Sequence, residues 1–433
     1  MINLNKKLFS ITFASGVQGA LQGIFMAYLG LHANYLGASA LIIGLIFFSR
    51  NFFQIFLRVP FGELSQITGR RPLILLGCGF FVFSYFLMYA AETWRLIFGS
   101  TILFAIGMAF YYPSLFSYIG DIATDNYGKV NGIVFQGSDI GLILSALITN
   151  YSLRNDLVDL KNLFGYGFLI GILCLIVMFI ILKESIDEVN RKVVTNKLNH
   201  IVNIFRRSLN SLVGLTKHDI LSRVYLFQFI ISFTEFFFVS FIPLLIVFHI
   251  GLFEEDVANI IFVSTCVVFL FKPFLGSISD RFGFKRPVLV GLSLNSIILI
   301  SITFSTNIIE VIILYSLFIS FSIMCYLGVN GATSYSVDEK MRGLAMGGLG
   351  FWVSFGRSFS SGFLTPIWSY FESISDDKGI AIRNLFWISA GVILIFVGIP
   401  ILVAAITSIL VLAPKWFRKN SREFANLAPK DPL

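Results

Sequence analysis

The stretch GSISDRFGFKRP, Gly276 to Pro287, sets two glycines, one acid and three basic residues between long apolar runs. A second version, GELSQITGRRP, runs from Gly62 to Pro72, 214 positions earlier, with Gln66 where the later copy has Asp280. Such charge is scarce elsewhere. Of 433 residues, 56% are hydrophobic and 13% charged, and the mean hydropathy is +0.84. A soluble globular protein carries about 25% charged residues. A chain this long and this apolar cannot cover itself against water, so it reads as an integral membrane protein. The formal net charge of +8 then concerns orientation in a lipid bilayer rather than a nucleic-acid partner.

A spanning helix needs about 20 mostly apolar residues. That criterion predicts spans near 8–30, 40–62, 73–91, 95–119, 128–150 and 162–182, then near 222–248, 256–275, 288–306, 309–334, 343–366 and 384–412. The expected class is an all-α integral membrane protein with twelve transmembrane helices. Segments 1–7, 63–72, 120–129, 183–223, 276–287, 335–342 and 413–433 hold 23 of the 32 basic residues. The opposite loops hold five: Arg95, Arg154, Lys161, Lys378 and Arg383. The positive-inside rule therefore places both termini in the cytoplasm, with the protein multi-pass in the cell membrane. Lys6 and Lys7 lead into a run long enough to span, without an A-x-A site, which reads as a first span and not a cleavable signal. Residues 1–183 form an N-terminal six-helix half and 222–414 a C-terminal one, with a cytoplasmic linker at 184–221 and a tail at 415–433. In the linker Ile201, Ile204, Phe205, Leu209 and Leu212 make a mildly amphipathic patch; a solvated tether suffices to explain it.

The halves repeat. SYIGD ending at Asp121 matches SYSVD ending at Asp338, GKVNG at Gly128–Gly132 matches GLAMG at Gly343–Gly347, and Arg58 matches Lys272. Six spans per half make equivalent helices run in the same direction, as parallel repeats do. On these motifs the sequence resembles the major facilitator superfamily, whose signature is a glycine- and arginine-bearing cytoplasmic loop between the second and third helices, echoed between the eighth and ninth. The resemblance implies two pseudo-symmetric six-helix bundles around a central cavity that opens alternately to each side.

In the loops, Gly62 and Gly276 are expected to end helices, and Gly69 and Gly283 to permit the tight turn. Asp280 can face the partly positive N-terminus of a helix, which the resemblance places in the opposite bundle. The GxxxG starts of spans 5 and 11 would allow close contact there. By the same resemblance Arg70 reaches Asp121. Phe284 stands at the equivalent of Arg70, leaving Lys285 or Arg281 to serve Asp338. Uncharged Gln66 forgoes a charge–dipole contribution of about 0.3–1 kcal/mol, which predicts a cytoplasmic latch held mainly by Asp280.

Four ionisable residues fall well inside predicted spans: Arg50, Asp139, Glu235 and Arg357. Arg50 is about ten residues from either end of its span, roughly 15 Å at 1.5 Å per residue. Such groups cost about 2.5–3.5 kcal/mol each on insertion scales. Burial raises a carboxylate's pKa and a nearby arginine lowers it, so Asp139 or Glu235 could couple protons, with Arg50 and Arg357 as partners. The arginines could instead bind an anionic substrate; permanent salt bridges, such as Arg357 with Asp139, are the third reading. Arg58 and Lys272 read as anchors one turn from the cytoplasmic end. Gln18 and Gln22, one turn apart on span 1, and Tyr111, Tyr112 and Asn330 on spans 4 and 10, are candidate cavity groups. The phenylalanines of span 7 are expected to face lipid or neighbouring helices.

The four cysteines lie in apolar runs without paired or CxxC spacing. There is no HExxH, GxSxG or P-loop motif, and the four histidines are scattered. No enzyme, metal or cofactor is implied. The expected function is secondary active transport of a small solute by alternating access, proton-coupled as a symporter or antiporter, by a monomer. The rivals are a transport-inactive sensor or scaffold and, within transport, efflux of amphipathic compounds against uptake of an organic anion. Leu103 stands where many superfamily members carry an arginine before glycine, and Gly141 is followed by Leu142 rather than proline, which argues against a drug/proton antiporter.

Overall fold

In hydrocarbon every backbone N–H and C=O must find a partner within the protein, and a helix supplies one locally. The computed structural model describes residues 2–122, 127–155, 158–185, 219–282, 285–336, 339–375 and 377–409, and among them forms twelve long helices and no strand. The first half contains α1 (Ile2–Tyr35), α2 (Ala40–Thr68), α3 (Arg70–Tyr89), α4 (Trp94–Ile122), α5 (Tyr127–Arg154) and α6 (Leu160–Ile181). The second contains α7 (Asp219–Leu245, continued by a π turn Ile246–Ile250), α8 (Glu254–Phe282), α9 (Lys285–Ser301), α10 (Ile308–Tyr335), α11 (Glu339–Ile374) and α12 (Lys378–Ile409). Among the described residues, ten of these helices are long and apolar enough to cross a membrane. The described part of α8 begins with Glu254, Glu255 and Asp256, and α11 is rich in glycine and serine and carries Arg357.

Several helices outrun their apolar spans. α2 continues through Gly62 to Thr68, and α8 through Gly276 to Phe282, so neither glycine ends its helix as expected. Hydropathy marks the part of a helix that lipid requires, whereas the hydrogen-bond ladder carries on into polar sequence. The turn falls to Gly69 alone, at φ 96° and ψ 161°, after which α3 begins at once. Gly283, Phe284 and Asp338 lie outside the described residues, as do linker residues 186–218 with the amphipathic patch, and the tail 415–433. For Gly62, Gln66, Gly276, Asp280 and Arg281 the description extends to the helical backbone and not to the side chains.

The repeat persists at residue level. Gly37 after α1 and Gly251 after α7, again 214 apart, both take φ 79°. His32 Nε2 lies 3.1 Å from the Met88 carbonyl and His249 Nε2 lies 3.0 Å from that of Thr303. Each histidine thereby ties the end of the first helix of its half to the end of the third.

Packing explains which helices lie together. A methyl group at Gly141 would be driven into the Gly16 carbonyl, so α1 and α5 touch backbone to backbone. The GxxxG at the start of α5 does not serve this way at Gly132, which has open space around it; the close approach lies deeper and within one half. α7 is central. Its Phe237, Phe238 and Phe241 are fully buried, tilted against Phe386, stacked on Phe318 and edge-on to Trp368 respectively, so they face neighbours rather than lipid.

The halves meet where α2 lies beside α11, α5 beside α8 and α1 beside α7. At the face away from the termini they are tied by hydrogen bonds onto the start of α8. Tyr28 Oη donates to the Glu254 carbonyl at 3.0 Å, Tyr35 Oη to the Glu254 carboxylate, and Asn150 Nδ2 to the Glu255 carbonyl at 3.0 Å. Lys378 Nζ to Asn34 Oδ1 at 2.9 Å and Ala40 N to Glu372 Oε2 at 3.2 Å complete the closure.

The backbone region held by Gly69 is essentially glycine-only, and a side chain there costs about 1–3 kcal/mol. Gly69→Ala is expected to lower stability by that amount, read as an earlier melting transition of the detergent-solubilised protein, whereas Gly79→Ala, in open space on α3, should leave the transition in place.

Candidate functional site

α2 carries Arg58, which reaches α11 of the other half, and Arg50, which turns toward α1 and α4 of its own half. Arg50 is 2% exposed. Its Nη1 donates to the Met26 thioether and its guanidinium lies 5.2 Å from the ring centre of Phe104, while its Nε is buried without a partner. Arg58 was read as an anchor near a helix end. Because α2 runs to Thr68, ten residues remain beyond it, about 15 Å of helix. It crosses instead to the other half, donating from Nη1 to the Gly350 carbonyl of α11 at 3.1 Å, with its guanidinium 5.7 Å from the centre of the Tyr112 ring.

Tyr112 gathers the polar groups of α1. Gln18 Nε2 donates to its hydroxyl at 3.1 Å, that hydroxyl donates to Gln22 Oε1 at 3.0 Å, and the two glutamines bond to each other. Tyr111 points elsewhere: it is fully buried against Phe81, because adjacent helix positions are about 100° apart. Tyr112 thus replaces Tyr111 as the tyrosine of the cluster. Asn330 bonds to the Tyr326 carbonyl of its own helix at 3.0 Å.

From the second half, Arg357 on α11 pairs with Glu235 on α7, Nη2 to Oε2, at 3.3 Å. The Glu235 side chain is 35% exposed, although Ser232, Phe233, Thr234, Phe236 and Phe237 around it are buried. Arg50, Arg58 and Arg357 are near enough to repel one another. A second pair lies on the other seam, where Lys272 Nζ on α8 meets Asp139 Oδ2 on α5 at 2.6 Å. This overturns two expectations. Asp139 is partnered by Lys272 and not by an arginine, and Lys272, ten residues before the end of α8, is not a terminal anchor. The apolar run stops shortly after Lys272, which is why it looked terminal.

At the α2–α3 turn, Arg70 Nε donates to Asp121 Oδ2 at 3.2 Å, and Ser185 Oγ donates to the same oxygen at 2.6 Å. Glu184, which the sequence reading did not single out, accepts from the backbone N–H groups of Arg70 and Arg71 at 2.9 and 3.3 Å. A carboxylate at a helix N-terminus is the favourable placement. Here it comes from the end of α6 in the same half. The only hint was an acid directly after an apolar run.

No cluster that could hold a metal ion occurs among the described residues, and the four cysteines are unpaired. Asp139 and Lys272 form a contact pair, so a double-mutant cycle with Asp139→Asn and Lys272→Met should give a coupling energy of roughly 1–3 kcal/mol. It would be measured from melting of the purified protein, with the double variant more stable than the sum of the singles predicts.

The profile of the Major Facilitator Superfamily matches residues 8–361 and 224–429. An uncharacterized MFS-type transporter of Methanocaldococcus jannaschii is 28% identical over 198 residues, 44% of this chain, and the chain spans 50% of that relative's length. The fold is similar to that of a bacterial homolog of the human lysosomal transporter Spinster, in an inward-facing, unoccupied conformation. That TM-score is 0.67, at 14% identity over 91% of this chain and 95% of the other. It is also similar to the nucleoside transporter NupG, with TM-score 0.70 and 13% identity over 90% and 98%. Tetrameric PepTSo2 gives TM-score 0.69 and 15% identity over 94% and 99%. Twelve helices in two repeated halves, the paired glycine–arginine loops and the profile match over most of its length agree: the chain belongs to the Major Facilitator Superfamily.

Proposed function

We propose that this protein is a secondary active transporter that moves a small solute across the membrane by alternating access, without enzymatic chemistry, and couples that movement to protons at Glu235. The observation that carries this reading is the partly exposed carboxylate on the largely buried helix α7, held 3.3 Å from Arg357. An arginine beside a carboxylate favours its charged form, and low dielectric without the arginine favours the protonated form. Any event that takes Arg357 from Glu235 therefore promotes proton uptake.

The two ion pairs have different parts in such a cycle. Glu235 and Arg357 belong to the same half, so rigid rocking of one half against the other leaves them together. A solute that competes for Arg357 separates them. Asp139 and Lys272 belong to opposite halves, so rocking acts on that pair directly. The Tyr28, Tyr35 and Asn150 bonds to the start of α8 hold the face away from the termini closed, which by the charge distribution of the loops is the external face. Both termini then lie in the cytoplasm.

Reconstitution into proteoliposomes tests the reading. Uptake of a solute panel should rise under an imposed pH gradient. Glu235→Gln should abolish that stimulation while leaving solute exchange at equal pH intact, because the neutral amide mimics the protonated carrier. Gradient-independent uptake by the unmodified protein, or gradient stimulation retained in Glu235→Gln, would refute proton coupling at this residue. Absence of flux for every solute under every gradient would favour a sensor or scaffold.

A further inference from the structure

We propose that the face of α2 that passes α4 and reaches α11 is an oxyanion site, taking a solute that bears a carboxylate or phosphate group, with Arg50 as its principal anchor and Arg58 and Arg357 completing the cradle. The inference rests on the transport reading for its purpose and on the following geometry for its chemistry.

Two arginines of α2, about two helical turns apart and both beside α4, and one of α11 interact as like charges, against one carboxylate. Among the described residues Glu235 pairs with Arg357, while neither Arg50 nor Arg58 is in an ion pair. Arg50 has a thioether and an aromatic face as its neighbours, and Arg58 has a backbone carbonyl and a phenol ring. The Nε–H groups of all three arginines are buried and without partners. Sulfur is a weak acceptor, so the bond that parks Arg50 against Met26 is readily exchanged for one to oxygen.

A guanidinium fork is shaped for two parallel bonds to a carboxylate or phosphate. Unmet donors on mutually repelling cations are the complement of an anion. A cationic solute would meet net repulsion here, and a neutral one would leave the excess charge uncompensated. Gln18, Gln22 and Tyr112, already joined to one another and to Arg58, supply neutral hydrogen-bonding groups beside the cradle for the rest of the solute. An oxyanion that takes Arg357 releases Glu235, whose carboxylate then accepts one proton from the side to which the site is open. Anion binding and proton uptake are thereby linked through a single arginine.

The test uses the purified full-length protein in detergent at constant ionic strength and reads its melting transition. The probes are benzoate beside benzamide and benzylamine, and glucose 6-phosphate beside glucose. At least one anion should raise the transition, while its neutral and cationic counterparts leave it unchanged; which anion does so separates carboxylate from phosphate recognition. Arg50→Gln should weaken that binding by about tenfold or more, as expected when a charge-assisted bidentate contact is lost. Arg58→Gln provides a second reading should Arg50→Gln fold poorly. Arg50→Lys should retain the preference for anions with reduced affinity.

The proposal is overturned if no anion shifts the transition, if benzamide, benzylamine or glucose shifts it as much, or if anion affinity is unchanged in Arg50→Gln and Arg58→Gln. The same probes offered to proteoliposomes separate this inference from the transport reading. Gradient-driven uptake of a neutral or cationic solute alone would sink the anion site and leave transport standing. Anion binding without flux of any probe would do the reverse.

Discussion

A guanidinium ion surrounded by apolar side chains needs an anion, a dipole or water within reach, and the helices of the two seams between the halves are where this chain meets that need. Arg50, Arg58, Lys272 and Arg357 are the basic residues that lie in neither set of loops. Each costs several kcal/mol to hold away from water if left alone. Lys272 is offset by Asp139, and Arg357 by Glu235. Arg58 leans on a carbonyl dipole and the face of a phenol, and Arg50 on a ring and a sulfur. The compensation is thus graded: complete at the α5–α8 seam and incomplete along α2. A fold selected only for stability would replace Arg50 with an apolar residue of similar volume, since buried charge is often no better than well-packed hydrocarbon. Arg50 is therefore the residue on which the proposed anion site depends.

The two seams are related by the repeat yet chemically unlike. Arg58 and Lys272 occupy equivalent positions, 214 residues apart, on equivalent helices that both face the other half. Arg58 meets the Gly350 carbonyl of α11, and Lys272 meets the Asp139 carboxylate of α5. The α5–α8 seam closes on a salt bridge, while the α2–α11 seam keeps its positive charge available. That asymmetry is better grounded than the one inferred from Gln66 and Asp280, because both partners of each contact are seen.

Much of this was legible in the sequence. The spacing of the two glycine–arginine loops set the repeat, and the same interval reappears in the paired turns at Gly37 and Gly251. Arg50, Asp139, Glu235 and Arg357 stood out as charges inside apolar runs. What the sequence hid has common causes. Arg58 and Lys272 looked peripheral because hydropathy ended their spans before the hydrogen-bond ladder ended their helices. Tyr111 and Tyr112 could not be separated by composition, since only helix rotation decides that one enters the core and the other the polar cluster. The partner of Asp139 could not be read from charge alone, because pairing across the halves depends on which helices become neighbours. Glu184 was invisible for a related reason: its role as a cap on α3 requires the end of α6 to return beside the α2–α3 turn.

The placement of the two carboxylates follows from which groups move together. A proton site that is to respond to solute should keep its counter-ion within one rigid half, so that rocking by itself does not discharge it. Glu235 and Arg357, on α7 and α11, satisfy that condition. A contact that is to respond to the position of the halves should span them, as Asp139 and Lys272 do on α5 and α8. Had the pairs been exchanged, proton uptake would follow conformation regardless of solute, and the gradient would be dissipated by an empty carrier. In the proposed cycle, keeping Glu235 with Arg357 inside one half and Asp139 with Lys272 across both halves would avoid that leak. It would also account for one charge pair crossing the α5–α8 seam while the other stays within the second half.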